Sequence, residues 1–209
     1  MLSRVLAKIP LINNKTKILI SISLVVLALV LCIAFPNEFD RRICLIAMLF
    51  SFIGDVCLNC MPLNKRPHKL LYTGAFFFMI AHLVYASAYT FMIHNTGKEF
   101  VTPGAYIAYA IMVIIFLVSI ICIYITRTTT KFPMIVVFLL YLTIVSMNFI
   151  TICSYSYSFK SLSFIGAASF LISDYIIGIE TIFKIKSNTL RKLVWIFYPI
   201  GQILILICR

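Results

Sequence analysis

Two of the six acidic residues, Asp55 and Asp174, lie well inside long apolar runs of the sequence. A carboxylate at such depth in a bilayer is costly, so it is a functional candidate by default; the structural alternative is an Asp that caps a bend or bonds a neighbouring helix. Two such groups that meet could act as an acid–base pair, because two close carboxylates in a dry interior cannot both ionise cheaply. We therefore predict Asp55 and Asp174 as catalytic residues, one of them protonated near neutral pH.

Other polar side chains fall at a similar depth. At 1.5 Å per residue, Asp55 lies about 9 Å and Asp174 about 13 Å from the end of its run that faces the more basic loops. The same rise places four further polar side chains about 8 to 18 Å deep: His82, Tyr141, Tyr198 and Gln202. These residues come from five runs, so depth predicts one polar layer in that half of the membrane.

Helical spacing adds information about which faces are polar. Asp55 and Asn59 are four residues apart and share one face with Ser51, and His82 shares a face with Tyr85. Small residues in the row of Asp174 would let helices approach closely. We expect these faces to point inward, since lipid offers polar groups no partners. The predicted substrate-binding residues are His82, Tyr85, Tyr141, Tyr198, Gln202 and Asn59.

The elements that must position these residues are seven apolar runs. A bilayer-spanning helix needs about 20 residues, and unpaired backbone is too costly in hydrocarbon, so each run is predicted to be a helix. The runs are Ile18 to Phe35, Ile43 to Met61, Leu70 to Ile93, Gly104 to Ile125, Phe132 to Cys153, Leu162 to Phe183 and Leu193 to Cys208. The predicted fold is an all-α polytopic bundle forming one domain over residues 1–209. It has about seven transmembrane helices, or eight if the segment from Met1 to Ile12 counts.

Composition and charge indicate a membrane protein and its orientation. The 209 residues are 63% hydrophobic and 11% charged, which excludes a soluble domain. Of the 18 Lys and Arg, 13 flank the runs on the side of the N-terminus, which predicts a cytoplasmic N-terminus and an external C-terminus. The positive charge is therefore no sign of nucleic-acid binding. We expect an integral protein of a bacterial inner membrane or of the endoplasmic reticulum.

Common catalytic and metal motifs are missing from the sequence. Cys57 and Cys60 form a C-x-x-C pair, but no second pair or His lies at zinc spacing, so we expect no metal and no cofactor. There is no Gly-rich phosphate loop, G-x-S-x-G or H-E-x-x-H, which disfavours a serine or metal hydrolase.

Four short motifs in order resemble the lysoplasmalogenase (YhhN-like) family. They are Gly54-Asp55, Ala81-His82-Leu83-Val84-Tyr85, the segment from Gly166 to Ser173-Asp174, and Tyr198-Pro199-Ile200-Gly201-Gln202. Their order and spacing fit the family from about Leu45 to Leu206. This sequence has Gly201 where the family usually has Ala before the Gln, and seven predicted spans where it usually has eight.

The resemblance implies an ether hydrolase that cleaves the vinyl-ether bond of lysoplasmalogens. The products would be a fatty aldehyde and glycerophosphocholine or glycerophosphoethanolamine, and the partners would be a lysophospholipid substrate and membrane lipid. A vinyl ether is cleaved once its β-carbon is protonated to give an oxocarbenium ion, so paired carboxyl groups suit the reaction as they suit glycoside cleavage. Which Asp would be the acid stays open at this point.

Three other classes compete with this interpretation. Intramembrane acids also occur in proton-coupled transporters, which tend to be longer and to contain inverted repeats. Intramembrane aspartyl proteases carry G-x-G-D and Y-D, whereas this chain has Phe52-Ile53-Gly54-Asp55 and Ser173-Asp174. A non-catalytic lipid-binding protein would not explain two acids with no Lys or Arg at their depth.

Overall fold

Seven α-helices make up almost all of the structure, a computed structural model that describes residues 13–59, 68–126, 130–185 and 187–209. The described residues contain no strand. The helices are α1 (Asn14–Ala34), α2 (Phe39–Asn59), α3 (His68–Asn95), α4 (Pro103–Thr126), α5 (Phe132–Phe159), α6 (Ser163–Ile182) and α7 (Asn188–Ile207). All seven are long and apolar enough to cross a membrane. The predicted multi-pass helical bundle is therefore confirmed, while the proposed extra segment, Met1 to Ile12, lies outside the described residues.

Most helices extend beyond the apolar runs that predicted them. α1 begins four residues before Ile18, where the Asn13 side chain accepts a hydrogen bond from the backbone N–H of Thr16 (2.8 Å). α7 begins at Asn188 instead of Leu193, and the Ser187 hydroxyl caps it. α5 continues to Phe159 and ends where Lys160 takes a left-handed conformation. The predicted spans mark the apolar stretch alone, because polar residues at a helix end need not end the helix.

Six of the helices form a closed ring. Neighbours in the ring are α1 and α2, α2 and α3, α3 and α5, α5 and α6, α6 and α7, and finally α7 and α1. α4 packs outside the ring on α5 and buries only Ala105, Ala108, Met112 and Ser119. Since each helix is long enough to span, successive helices alternate in direction. We call the basic end the end at which α1, α3, α5 and α7 begin.

Glycines bring the helices that carry the two acids into close contact with their neighbours. A Cβ on Gly201 of α7 would lie 2.8 Å from the backbone nitrogen of Phe170 and 3.0 Å from the carbonyl oxygen of Gly166 on α6. A Cβ on Gly54, next to Asp55, would lie 2.7 Å from the Phe78 ring on α3. Small residues at both contacts allow this packing, as expected for membrane helices.

Ion pairs join α7 to α2 at the opposite end of the bundle. Arg209 binds Asp40, and its Nη2 also lies 2.8 Å from Oε2 of Glu38. The hydrogen bond from Arg209 holds the pKa of Glu38, which precedes α2, below its ordinary value of 4.5. Arg41 adds a second donor to Glu38 at 2.6 Å.

Candidate active site

Asp55 accepts two hydrogen bonds inside the bundle and is only 4% exposed. Its Oδ2 lies 2.6 Å from the hydroxyl of Ser21 on α1 and 2.6 Å from the hydroxyl of Tyr198 on α7. One turn later, the Asn59 amide donates to the backbone carbonyl of Asp55 (2.9 Å). The predicted polar face of α2 therefore points inward, and side chains of α1 and α7 hold this carboxyl group.

Asp174 has a second set of partners, on α3 and α5. Its Oδ2 lies 2.7 Å from Nε2 of His82 and accepts a 2.8 Å hydrogen bond from the Tyr141 hydroxyl. The amide nitrogen of Asn148 lies 2.9 Å from Nδ1 of His82. An amide NH₂ group can only donate, so Nδ1 accepts and Nε2 carries the hydrogen that is donated to Asp174. The Asn148 oxygen is buried without a hydrogen-bond partner.

One aromatic ring contacts both acid clusters. The Phe170 ring centroid lies 4.4 Å from that of His82 and 5.6 Å from that of Tyr198. Phe170 is fully buried and stands one helical turn before Asp174 on the same face of α6. The two acids are thus held by different polar groups around a shared apolar ring.

Asp55 and Asp174 line the same cavity, which we call the polar cavity. Its volume is about 80 Å³, and its polar lining comes from Lys17, Asp55, Asn59, Asp174, Glu180, Arg191 and Tyr198. The cavity has room for water, and the polar groups that a bound water needs are present. A molecule in it could exchange protons with both carboxyl groups, which is the chemistry expected of paired acids.

A second cavity, which we call the apolar cavity, lies beside the first. Its volume is about 70 Å³, and Leu58, Phe78, Asp174 and Ile177 line both cavities. The rest of its lining is almost entirely apolar or aromatic and comes from α3, α5 and α6: Leu71, Tyr72, Ala75, Met134, Val137, Phe138, Tyr141, Gly178, Thr181 and Ile182. Asp174 therefore lies at the boundary between the polar cavity and the apolar cavity.

Three of the predicted substrate-binding residues line neither cavity. His82 lies behind Asp174, whereas Tyr85 and Gln202 form a separate chain in which the Tyr85 hydroxyl donates to Gln202 Oε1 (2.8 Å). Gln202 donates in turn to the hydroxyl of Ser51 at 3.3 Å. All three side chains are 1% exposed or less. Their contact with a substrate stays a prediction, while Asn59, Tyr141 and Tyr198 have access to a cavity.

The comparison with protein families matches residues 14–208, nearly the whole chain, to the model of the YhhN family. The chain belongs to the YhhN family. This family includes lysoplasmalogenases. No curated protein and no solved structure matches the chain.

The YhhN match also covers α1, which the four sequence motifs left out. α1 contributes Ser21 to the Asp55 cluster and Lys17 to the polar cavity. The four motifs themselves lie on α2, α3, α6 and α7, and the structure brings them together around the two acids. The motif fit, which began at about Leu45, therefore missed the contribution of α1 to the candidate site.

Sequence reasoning also missed Asn148 and the charged lining of the polar cavity. Asn148 lies two turns after Tyr141 in an otherwise apolar stretch of α5, a spacing that could have marked it. The basic residues around Arg191 were interpreted mainly as topology anchors, with anionic lipid as the alternative, and Arg191 lines the cavity with Glu180 and Lys17. Among the described residues, no group of three or more His, Cys, Asp or Glu side chains is arranged to hold a metal ion.

Proposed function

We propose that this YhhN protein is an intramembrane ether hydrolase that cleaves the vinyl-ether bond of lysoplasmalogens. The observation that carries the proposal is that Asp55 and Asp174 line one polar cavity that adjoins an apolar cavity. Two adjoining cavities of this kind suit a molecule with a polar head, a single apolar chain and an acid-labile bond between head and chain. Membership of a family that includes lysoplasmalogenases supports the same activity.

The reaction needs one proton donor, one negative charge and one water molecule. The acid transfers its proton to the β-carbon of the vinyl ether, and the C=C electrons form the new C–H bond, leaving an oxocarbenium ion at the α-carbon. Water adds to that carbon while the second carboxylate takes the proton that the water loses. The hemiacetal then breaks its C–O bond to glycerol: the second acid gives its proton to the leaving glycerol oxygen, and the hemiacetal hydroxyl gives its proton to the first carboxylate. The products are the aldehyde and a glycerol hydroxyl, and both acids are back in their starting state.

The hydrogen-bond partners favour Asp55 as the acid and Asp174 as the anion. The N–H of His82 can only donate to Asp174, which suits a carboxylate. The partners of Asp55 are hydroxyl groups, which accept as well as donate and so tolerate a protonated acid.

The bound lipid would lie with its glycerophospho head in the polar cavity and the start of its chain in the neighbouring apolar cavity, which occupies a similar depth between α3, α5 and α6. A lysolipid already lies in the leaflet, and its reacting bond is just below the head, at a depth similar to that of Asp55. We assign the basic end to the cytoplasm from the distribution of Lys and Arg. The membrane would be a bacterial inner membrane or the endoplasmic reticulum.

The test is aldehyde release by the purified full-length chain. Choline and ethanolamine lysoplasmalogens are incubated with the protein in detergent, and the aldehyde is trapped and quantified by mass spectrometry. We expect release from both alkenyl substrates and none from the saturated 1-O-alkyl analogues, which cannot form the oxocarbenium ion by protonation.

The result that would overturn the proposal is a folded protein that releases no aldehyde from any alkenyl lipid. Proton-dependent flux of a solute or lipid in liposomes, without product, would then favour the transporter class. Release from the alkyl analogues would contradict the proposed chemistry in a different way, because it would need another mechanism of C–O cleavage.

A further inference from the structure

Three charged side chains at the basic end of the polar cavity have no part in the acid–base chemistry. Lys17 and Arg191 lie in the first turns of α1 and α7, and Glu180 lies in the last turn of α6. All three line the same cavity as the two acids. Two cations and one anion therefore surround the part of the cavity that is farthest from the membrane centre.

The pairing between Glu180 and Arg191 is incomplete. Oε1 of Glu180 and Nε of Arg191 lie 4.0 Å apart, too far for a hydrogen bond. Both atoms are buried and have no hydrogen-bond partner. Unsatisfied buried polar atoms are rare and need an explanation, and a ligand group bound between them is one. The backbone N–H of Ser187 already donates to the Glu180 carboxyl, so the groups still missing are an acceptor for Nε of Arg191 and a donor for Oε1 of Glu180.

The spacing to the acids fits the length of a glycerophospholipid head. Glu180 is six residues beyond Asp174 on α6, about 9 Å along the helix, and Arg191 is seven residues before Tyr198 on α7, about 10 Å. With bonds of about 1.5 Å, an extended glycerol unit places the phosphorus roughly 7 Å from the vinyl-ether α-carbon, and the head amine a few ångströms farther. Both charged groups of the head can thus reach this site.

We propose that Lys17 and Arg191 bind the phosphate of a lysolipid and that Glu180 accepts a hydrogen bond from a primary ammonium group. The preferred ligand is then a glycerophosphoethanolamine lipid. This inference rests on the proposed function and adds the headgroup class to it. An anionic phosphate supplies the acceptor that Arg191 lacks, and an ethanolamine ammonium supplies the donor that Glu180 lacks.

A choline head fits the same site less well. Its quaternary ammonium has no N–H to donate to Glu180, and such groups are usually bound on an aromatic face. Of the three aromatic side chains that line the cavity, Trp195 is the one within a turn of Arg191, and the Lys17 ammonium already lies over its ring, 5.3 Å from the centroid. Phe78 and Tyr198 pack against each other beside Asp55. We therefore expect the protein to prefer ethanolamine over choline lipids.

The test measures binding through Trp195, the only tryptophan in the chain, which lines the polar cavity. Saturated 1-O-alkyl lipids with an ethanolamine or choline head are titrated into the wild-type protein in detergent while its fluorescence is followed. An alkylglycerol and inorganic phosphate serve as the other two probes. We expect the ethanolamine lipid to bind about tenfold more tightly than the choline lipid. The alkylglycerol should bind more weakly than both, and millimolar phosphate should leave the lipid titrations unchanged.

Two variants with matched controls test the ammonium contact of Glu180 and the phosphate contact of Arg191 separately. Glu180→Gln should remove the preference for ethanolamine, and Arg191→Gln should weaken both lipids by a similar factor of about ten. Arg191→Lys keeps the charge and should recover most of the binding, which separates loss of a phosphate ligand from misfolding. Lys192→Gln, one residue along α7 and outside the cavity lining, and the exposed loop variant Glu99→Gln should bind as wild type.

Three results would overturn the headgroup site: alkylglycerol binding as tight as that of the phospholipids, a headgroup preference unchanged in Glu180→Gln, or phosphate alone giving the full response. Because saturated ethers cannot be cleaved by this chemistry, binding is measured separately from turnover. Headgroup selectivity without aldehyde release would support the site and reject the hydrolase. Aldehyde release without selectivity would reject the site alone.

Discussion

Asp55→Asn removes the proposed proton donor while keeping the shape of the side chain. The amide oxygen can still accept from the hydroxyls of Ser21 and Tyr198, which lie 2.6 Å from Oδ2 in the native chain. The new NH₂ group stands at the edge of a cavity that can hold water. We expect a change of about 1 kcal/mol or less in stability. Loss of general acid catalysis should lower turnover about 10²- to 10⁴-fold.

The assay is aldehyde release at saturating alkenyl lipid, so that a change in binding does not affect the rate. Fluorescence of Trp195 on titration with the alkyl lipid checks that the variant still binds. Ser51→Ala is the matched control, because it removes a buried hydroxyl one turn away whose partner is Gln202. We expect the control to stay within about threefold of wild type and to lose about 1 kcal/mol of stability.

The second arm tests whether the two acids act in one step. Asp174→Asn should be similarly impaired, and the double variant should be little worse than the worse single variant, because residues that act as a unit are not additive. Turnover above about a tenth of wild type in Asp55→Asn, with binding intact, would refute the acid–base assignment. Additive losses would show instead that the two residues serve separate steps.

Three further predictions follow from single contacts. Asn148→Ala should lower kcat about tenfold at unchanged KM, because the donor that orients His82 is lost. Thr151→Ala, on the same helix, should leave kcat unchanged. Steady-state kinetics of the two variants tests this. Gly201→Ala should cost about 1–3 kcal/mol in thermal unfolding and reduce turnover, because its Cβ meets the backbone of α6, whereas the exposed Ile200→Ala should do neither. The pKa of Glu38 is lowered in the folded chain, so its contribution is complete above the ordinary value of 4.5 and is lost as pH falls through the lower folded value. Tm in detergent should thus fall slightly more for wild type than for Glu38→Gln over that acid range, and an equal fall would contradict this.

Helix number, helix placement and the inward polar faces could be predicted from the sequence, because hydrocarbon imposes them. A helix satisfies every backbone group within an apolar run of this length, and a carboxylate has few alternatives to an inward position. The inference that Asp55 and Asp174 share a layer rested on helical rise alone, and their common cavity agrees with it. Depth is robust because the rise per residue hardly varies.

The partners of each acid could not be predicted, because they depend on which helices are neighbours. Depth placed Tyr141 and Tyr198 in one layer without telling which acid each would bind. The ring order settles it: α7 next to α1 brings Tyr198 and Ser21 to Asp55, and α3 next to α5 brings Asn148 to His82. Gln202 has the predicted depth and lies on a polar face, but its Oε1 accepts a hydrogen bond from Tyr85 and its side chain lines neither cavity. Depth alone therefore overestimated the access of Gln202 to the cavity.

The glycine at position 201 shows how packing and chemistry are linked in this chain. α7 carries Tyr198 one turn before Gly201, and α6 carries Asp174 two turns after Gly166. Because Gly201 has no Cβ, the α7 backbone packs directly on Phe170 and Gly166 of α6. The Phe170 ring contacts Tyr198 on one side and His82 on the other, and His82 donates to Asp174. An Ala at this position would need a wider helix contact, because its Cβ would meet the α6 backbone. Phe170 therefore links the two acid clusters across the contact between α6 and α7, and a side chain at position 201 would disturb that contact.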